Sequence, residues 1–434
     1  MSVAAIAGSY LESLLRGQHS PPASPLAWLN RLRAAAVDRV GALTVPTTRD
    51  EEWRFTDISP LARLTFQPVS VAARLRPEDI AHFYIDEAPL RLVFVDGVHA
   101  PELSGATADN GIIVGNLAAA GVHAAAIERH LGHYAEFNDN VFAALNTAFL
   151  HDGAFVIVPA NTRVATPVHL LFIATQKEAV SYPRCLVLAE RSSEVTIIED
   201  FVTLQEAAYF TNAVSEIALG DNARVTHLRL QRESGAAFHI ANCAVALAAA
   251  SDYRSISVAL GARISRLNVN VLQAAEGAQC TVDGLALIDG SQLADTHTMI
   301  DHAKAHGVSR QLHKCIVGGA AHAVFNGKIK VRAGAQRTDS AQSNRNLLLT
   351  GRAQVDTKPQ LEIFADDVKC AHGATVGQLD AEEVFYLKSR GMSDKAARNL
   401  LTYAFGAEII DRIPLASLRA RLEKAVLERT ADAL

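Results

Sequence analysis

Paired cysteines are missing from this sequence. Its five cysteines, at 185, 243, 280, 315 and 370, are odd in number, widely spaced and nowhere form C-x-x-C. The pattern reads as reduced thiols, mostly small buried hydrophobes, in a reducing compartment. Long apolar runs are also missing. The longest uncharged one, around Cys243–Ala250, falls far short of the ~20 residues needed to span a bilayer. Met1–Leu15 lacks a basic segment and carries Glu12 inside its apolar stretch, so it does not read as a secretory signal. A net charge of −5 over 434 residues gives no electrostatic reason to expect nucleic acid or an anionic membrane as partner. These absences together predict a cytoplasmic protein.

Catalytic signatures are absent too. No G-x-x-x-x-G-K-[ST] phosphate cradle occurs; at Gly327-Lys328-Ile329, the nearest approach, position 322 is His322 and the hydroxyl residue is missing. G-x-G-x-x-G, H-E-x-x-H and G-x-S-x-G are likewise not found. Any ATP chemistry must therefore come from a partner, and the chain is expected not to be an enzyme by itself.

What is present is a large apolar fraction, 49% hydrophobic against 20% charged, enough to bury a sizeable core. The length exceeds the ~250–300 residues at which one core stops growing, unless the fold is an elongated repeat. Three zones follow one another. Residues 1–150 read as mixed and helix-rich. After a Pro/Ser loop at Ser20–Pro25, Leu26, Leu29, Leu32 and Val37 recur at helical spacing. The strand Arg91–Val95 ends at an Asp96-Gly97 turn, and Asn138–Leu150 places Val141, Phe142, Leu145, Ala148 and Phe149 on one helical stripe. Residues 151–379 read as short β-runs (154–158, 168–173, 185–189, 195–198, 213–219, 225–230, 255–260 and 267–272). Their polar corners lie at Ser192-Ser193, Gly220-Asp221-Asn222, Ser251-Asp252, Glu276-Gly277 and Gly318-Gly319. Short strands without helices between them mean a sandwich, a barrel or a solenoid, and the near-regular corner spacing favours the solenoid. A solenoid has two open ends that must be capped or paired. Residues 380–434 read as helices. Asp380 with Glu383 opens the first, which stops near Gly391. Ser393 caps a second with the stripe Ala397, Leu400, Leu401, Ala404, Phe405 and Ile409. Pro414 opens a third carrying Leu415, Leu418, Leu422 and Val426.

Two groups of residues carry candidate chemistry. His297, His302, His306, His313 and His322 share one segment with Cys315, and imidazole and thiolate are natural ligands of zinc and iron. They serve a metal only if they converge; scattered corner and surface histidines are the alternative. The second group is Cys370 and His372, which share one face if the segment is a strand. Together they are half of a tetrahedral metal site and would need a second subunit to close it. From these residues alone, a buried cysteine beside a hydrogen-bonded histidine is the simpler reading.

The run Gln342–Gln378 (QSNRNLLLTGRAQVDTKPQLEIFADDVKCAHGATVGQ) resembles the signature region of the SufB/SufD family. Val384–Gly391 (VFYLKSRG), Glu52–Thr56 (EWRFT), Phe149–Pro159 (FLHDGAFVIVP) and Val324–Val331 (VFNGKIKV) are similar to further family blocks, so the resemblance covers nearly the whole chain. DTKPQLEIFADDVKC with His372 two residues on is the form of the SufD branch; the SufB branch often carries an N-terminal cysteine motif, absent here. The resemblance implies a mainly β fold: a right-handed parallel β-helix between an N-terminal mixed helical domain and a C-terminal helical domain. It implies an iron–sulfur cluster assembly scaffold that pairs with SufB through the β-helix and docks the ATPase SufC on its helical tail. A homodimer is expected when the chain is isolated. It further implies that Cys370 and His372 face SufB and hold a transient iron–sulfur cluster or iron, with no tightly bound cofactor on the chain alone. Phe385, Tyr386 and Arg390 become candidate SufC contacts. Rival readings are a polysaccharide lyase using Asp366 and Asp367, an iron store built on the His297–His322 segment, and a purely architectural anchor for SufC.

Overall fold

A computed structural model describes residues 23–69, 71–105 and 111–433; the N-terminal reading of Met1–Leu15 and the start of the Ser20–Pro25 loop lie outside the described residues. The body is a parallel β-solenoid of about eight coils, each giving one strand to each of two sheets. One sheet runs from Ala154–Val158 through Arg184–Ala189, Phe210–Leu219, Phe238–Leu247, Ile264–Gln273, Leu293–His302 and His322–Val331 to Gln354–Ile363. The other runs from Val168–Ala174 through Glu194–Thr203, Arg224–Arg232, Asp252–Ala259, Gln279–Ile288, Val308–Val317 and Asp339–Leu348 to Lys369–Gly377.

The corners explain why the sequence winds at this period. Ser192, Asn222, Ala250, Gly277, His306 and Arg337 all have positive φ, between 53° and 69°. Each donates its N–H to a carbonyl of the next coil: Ser192 to Asp221, Asn222 to Ala249, Ala250 to Glu276, Gly277 to Ala305, His306 to Gln336 and Arg337 to Asp367. A left-handed residue once per coil turns the chain, and only one of the six is glycine. The others adopt a conformation costing roughly 1–2 kcal/mol, offset by the corner ladder.

Along the first coils the inner face is apolar: Val156, Leu170, Val187, Ile197, Ile217, Val225, Val245, Val269 and Val282 belong to one buried cluster. Toward the last coils it turns polar. Ser309, Gln311, His313, Ser340, Gln342, Asn344 and Asn346 are all buried there.

The two ends differ. At the N-terminal end, Ile113–Asn116 and Val98–His99 close the sheets with antiparallel strands. At the C-terminal end, Gln354–Ile363 and Lys369–Gly377 each pair on one side only. Ile363, Phe364 and Val376 are exposed there, Phe364 by 62%. An unpaired parallel edge with exposed apolar side chains is a template for pairing with another chain.

Helices flank the solenoid on its outer faces. Ala27–Ala42 buries Leu29, Arg33, Ala36 and Val40, while Val37 is exposed, so the buried stripe is turned from the one expected. Val141–Ala148 is buried on every residue rather than along one stripe, because it lies between the first sheet and the helix Ala27–Ala42. Its cap Asn140 accepts from the N–H groups of Phe142 and Ala143. At the C-terminus, Asp380 caps Ala381–Ser389, with Gly391 at φ +95°, and Ser393 caps Asp394–Ile410. The second of these helices buries Ala397, Thr402, Gly406, Ile409 and Ile410, leaving Leu400 exposed. Ala416–Ala433 follows Pro414, and Leu415, Leu418, Leu422 and Val426 are buried as expected. They pack with Ile409 and Ile410 onto Leu228, Ile256, Leu285 and Leu312 of the second sheet. Each such side chain contributes roughly 1.5–3 kcal/mol. Among the described residues no helix is long and apolar enough to cross a membrane.

Candidate functional site

Cys370 and His372 lie on the last strand, Lys369–Gly377, in register with Ser340 and Gln342 of the strand below. Alternation puts both on one face. Cys370 is half-buried against Ile329, Val331, Leu361 and Ala365, so that face is the inner one. His372 is exposed at the open end. Burial, and then the Asp339 carboxylate, push the Cys370 thiol up, partly offset by the N–H of Ser340. The other four cysteines are buried, and burial pushes Cys280 and Cys315 up to about 12. Cys370 is therefore the one thiol within reach of solvent.

On the outer face of the same sheet a cleft of about 560 Å³ separates the last coils from the C-terminal helices. Its lining includes Gln311, Gln342, His372, Arg345, Glu408 and Arg412. The helix Asp394–Ile410 is tied down at its wall. Glu408 accepts from Lys314 at 2.5 Å and Arg345 at 3.3 Å, and Arg412 reaches Asp283 at 2.6 Å. The lysine contact holds the Glu408 carboxyl below its usual range.

Asp366 and Asp367 sit exposed at the preceding corner, where Asp367 receives the N–H of Arg337 on its backbone carbonyl. Neither carboxylate is part of the inner face that holds Cys370. On the helix Ala381–Ser389 only Val384 is buried. Phe385 is 72% and Tyr386 56% exposed, with Arg390 stacked 5.2 Å from the Tyr386 ring. Both aromatic rings thus stand outside the helical domain's own core.

The histidine segment does not converge. His297 points out from the first sheet; His302 and His313 are buried inside; His306 is a corner; His322 pairs with Asp356 at 2.7 Å. Burial lowers His302 to about 4 and His313 to about 3. Among the described residues no group of three or more His, Cys, Asp or Glu side chains is arranged to hold a metal.

Sequence reasoning did not anticipate what the EWRFT block does. Trp53 lies 3.8 Å under the Arg266 guanidinium, and Thr56 donates to Asp295 at 2.6 Å. Asp295 also binds Arg266 at 2.6 Å and His297 at 3.0 Å, and His297 reaches Glu52 at 3.2 Å. Burial would raise the Asp295 carboxyl, but Arg266 and His297 outweigh it and hold it at about 2. Burial would lower His297, and Asp295 with Glu52 raise it instead. The motif is the tether that fixes the N-terminal region to the solenoid. The signal that could have found it is an aromatic and acidic cluster, Glu51-Glu52-Trp53 with Phe55, matched by Arg266 on one strand and Asp295 and His297 on the next.

Two family models cover most of the chain: the SUF system FeS cluster assembly, SufBD core domain, over residues 172–405, and the SufBD protein N-terminal region, over 9–170. Similar curated proteins include an iron–sulfur cluster assembly SufBD family protein of Synechocystis, 45% identical over 92% of this chain and 90% of its own length. SufD of Escherichia coli is 36% identical over 85% of each chain, and SufD of Bacillus subtilis 27% identical over 97% of each. The chain belongs to the SufBD family of iron–sulfur cluster assembly proteins, and within it is SufD-like.

Proposed function

We propose that this chain is a cytoplasmic, non-catalytic scaffold subunit that pairs with SufB through the open end of its solenoid and anchors the ATPase SufC on its helical tail. Cys370 and His372 contribute ligands to a nascent cluster or to iron shared with SufB. The units are residues 1–150, 151–379 and 380–434, the last carrying the SufC contacts Phe385, Tyr386 and Arg390. The observation that carries the reading is the asymmetry of the solenoid. One end is closed by antiparallel strands, while the other is a bare edge that presents Cys370 half-buried and His372 exposed.

The chemistry follows from the ligand types. A thiolate and an imidazole on one strand face are two soft donors, and iron and sulfide need more than two. A facing subunit supplies the rest. Imidazole is the more easily displaced donor, which suits a cluster that is handed on. ATP-driven closure of SufC would act through the helix Asp394–Ile410, whose Glu408 grips Lys314 and Arg345 close to the last strand. A rigid-body shift of that helix would open the pairing between the solenoids and expose the two ligands.

The test is co-purification with SufB and SufC, then anaerobic reconstitution with iron and sulfide, comparing wild type with His372→Ala. Loss of cluster with the ternary complex intact supports the ligand role. Equal cluster formation leaves the chain an architectural anchor for SufC, and loss of the complex makes His372 structural.

A further inference from the structure

Gln342 lies directly beneath His372 in register, and Gln311 beneath Gln342. Gln342 is 3% exposed, yet neither its Oε1 nor its Nε2 has a hydrogen-bond partner. Gln311, 4% exposed, accepts from the Thr298 hydroxyl at 2.8 Å, which fixes its carbonyl and leaves its Nε2 without a partner. The two glutamines, stacked in one inward column, therefore hold unused hydrogen-bonding capacity, and Thr357, on the facing strand, adds an unpartnered hydroxyl in the last coil.

The fold makes room for this arrangement. A Cβ on Gly327 of the facing sheet would overlap the Gln342 amide nitrogen, so glycine at that position lets the amide reach across the interior. An apolar side chain suits the same column, because Val282 occupies it one coil below Gln311. Leaving a buried polar group unpaired costs roughly 1–3 kcal/mol. Keeping two such atoms on Gln342 where an aliphatic side chain fits is a cost that a purely structural role does not explain.

We infer that Gln342 is the floor of the Cys370–His372 site and hydrogen-bonds a sulfur anion there, hydrosulfide or the sulfide of a forming cluster. This inference rests on the ligand role of that pair proposed above. An amide matches hydrosulfide well: its N–H groups donate to the sulfur and its carbonyl accepts the S–H. It matches iron poorly, since the thiolate and imidazole at the rim are the softer donors. The approach is the open end of the solenoid, where His372 is exposed one coil above Gln342. Gln311, one coil below, leaves a second N–H without a partner in the same column.

The experiment uses the complex with SufB and SufC, reconstituted anaerobically with ferrous iron and sulfide, for wild type, Gln342→Leu, Gln342→Glu and His372→Ala. Loss of one hydrogen bond predicts cluster loading about fivefold to tenfold lower in Gln342→Leu at limiting sulfide. The residual cluster should have a lower reduction potential, because hydrogen bonds to sulfur set that potential. Gln342→Glu, an acceptor with negative charge, should lose at least as much. At the same time Gln342→Leu should melt at or above the wild-type temperature, since two unpaired buried atoms are gone. Wild-type loading and potential in Gln342→Leu would overturn the inference, as would a lower melting temperature with loss of the complex. Normal loading in His372→Ala with reduced loading in Gln342→Leu would overturn the ligand role of His372, and with it the placement of Gln342 as the floor of that pair's site.

Discussion

Lys314 is where the helical tail and the β-body are bolted together. Its ammonium is almost fully buried, lies 2.5 Å from Glu408, donates to the Phe405 carbonyl at 2.8 Å and sits 4.5 Å over the Phe405 ring. Lys314→Met keeps the stem and removes the charge. Glu408 retains Arg345 and Arg412, so no carboxylate is left alone. A charge-assisted hydrogen bond contributes about 1.5–3 kcal/mol, and part of that returns because the ammonium no longer has to be desolvated. The expected net loss is about 1–3 kcal/mol, localised to the docking of the helix Asp394–Ile410. A chain of this size and architecture need not unfold in one step, so local opening measured by amide exchange along that helix is the appropriate assay. Lys314→Met, Glu408→Gln and the double variant form a cycle in which the pair should be coupled by about 1–2 kcal/mol. Additivity within about 0.5 kcal/mol, with unchanged exchange over residues 394–410, would refute the claim that this pair couples helix and solenoid.

Other outcomes follow from the same contacts. Burial sets His302 at about 4 in the folded chain, against roughly 6.5 unfolded. Between those values only the unfolded chain holds the proton, so stability falls as pH drops from 6.5 to 4, by about 3 kcal/mol from His302 alone. Melting temperatures from pH 7.5 to 4.5 should show that fall, and it should be shallower in His302→Gln; a flat profile would contradict it. Native protein should yield one reactive thiol out of five, Cys370, with labelling accelerating above the ordinary thiol range because burial raises its pKa. Two or more fast thiols would mean the solenoid interior is accessible. Phe385→Ser and Tyr386→Ser should change stability by no more than about 0.5 kcal/mol, given their exposure. They should weaken SufC binding by about tenfold or more, read by calorimetry; a drop in melting temperature instead would make them packing residues.

The fold was legible because the corners are written in polar and glycine residues at a near-constant interval. The strands between them are rich in Val, Ile and Leu. The helical stripes were less so: Val37 and Leu400 are apolar yet exposed, while Arg33 and Thr402 are buried. Helix periodicity alone does not say which face meets a sheet whose own outer surface is mixed. Cys370 and His372 could be singled out because alternation puts two metal-ligating side chains on one face of one strand. Gln342 and Gly327 could not. Their relation runs between two sheets, and that of Gln342 to His372 runs between coils thirty residues apart, so neither exists until the register is fixed. The histidine segment builds no site for the converse reason. Five residues close in sequence were dealt to the outer face, the inner face and a corner by successive strands.

The central claim is that the bare edge of the solenoid is the surface that meets SufB. Hydrogen exchange of Lys369–Gly377 and Gln354–Ile363, measured on the chain alone at low concentration and in complex with SufB, tests it directly. Strong new protection is expected in both strands, with little change at the closed N-terminal end. Protection unchanged in these two strands, in a complex that has formed, would contradict it.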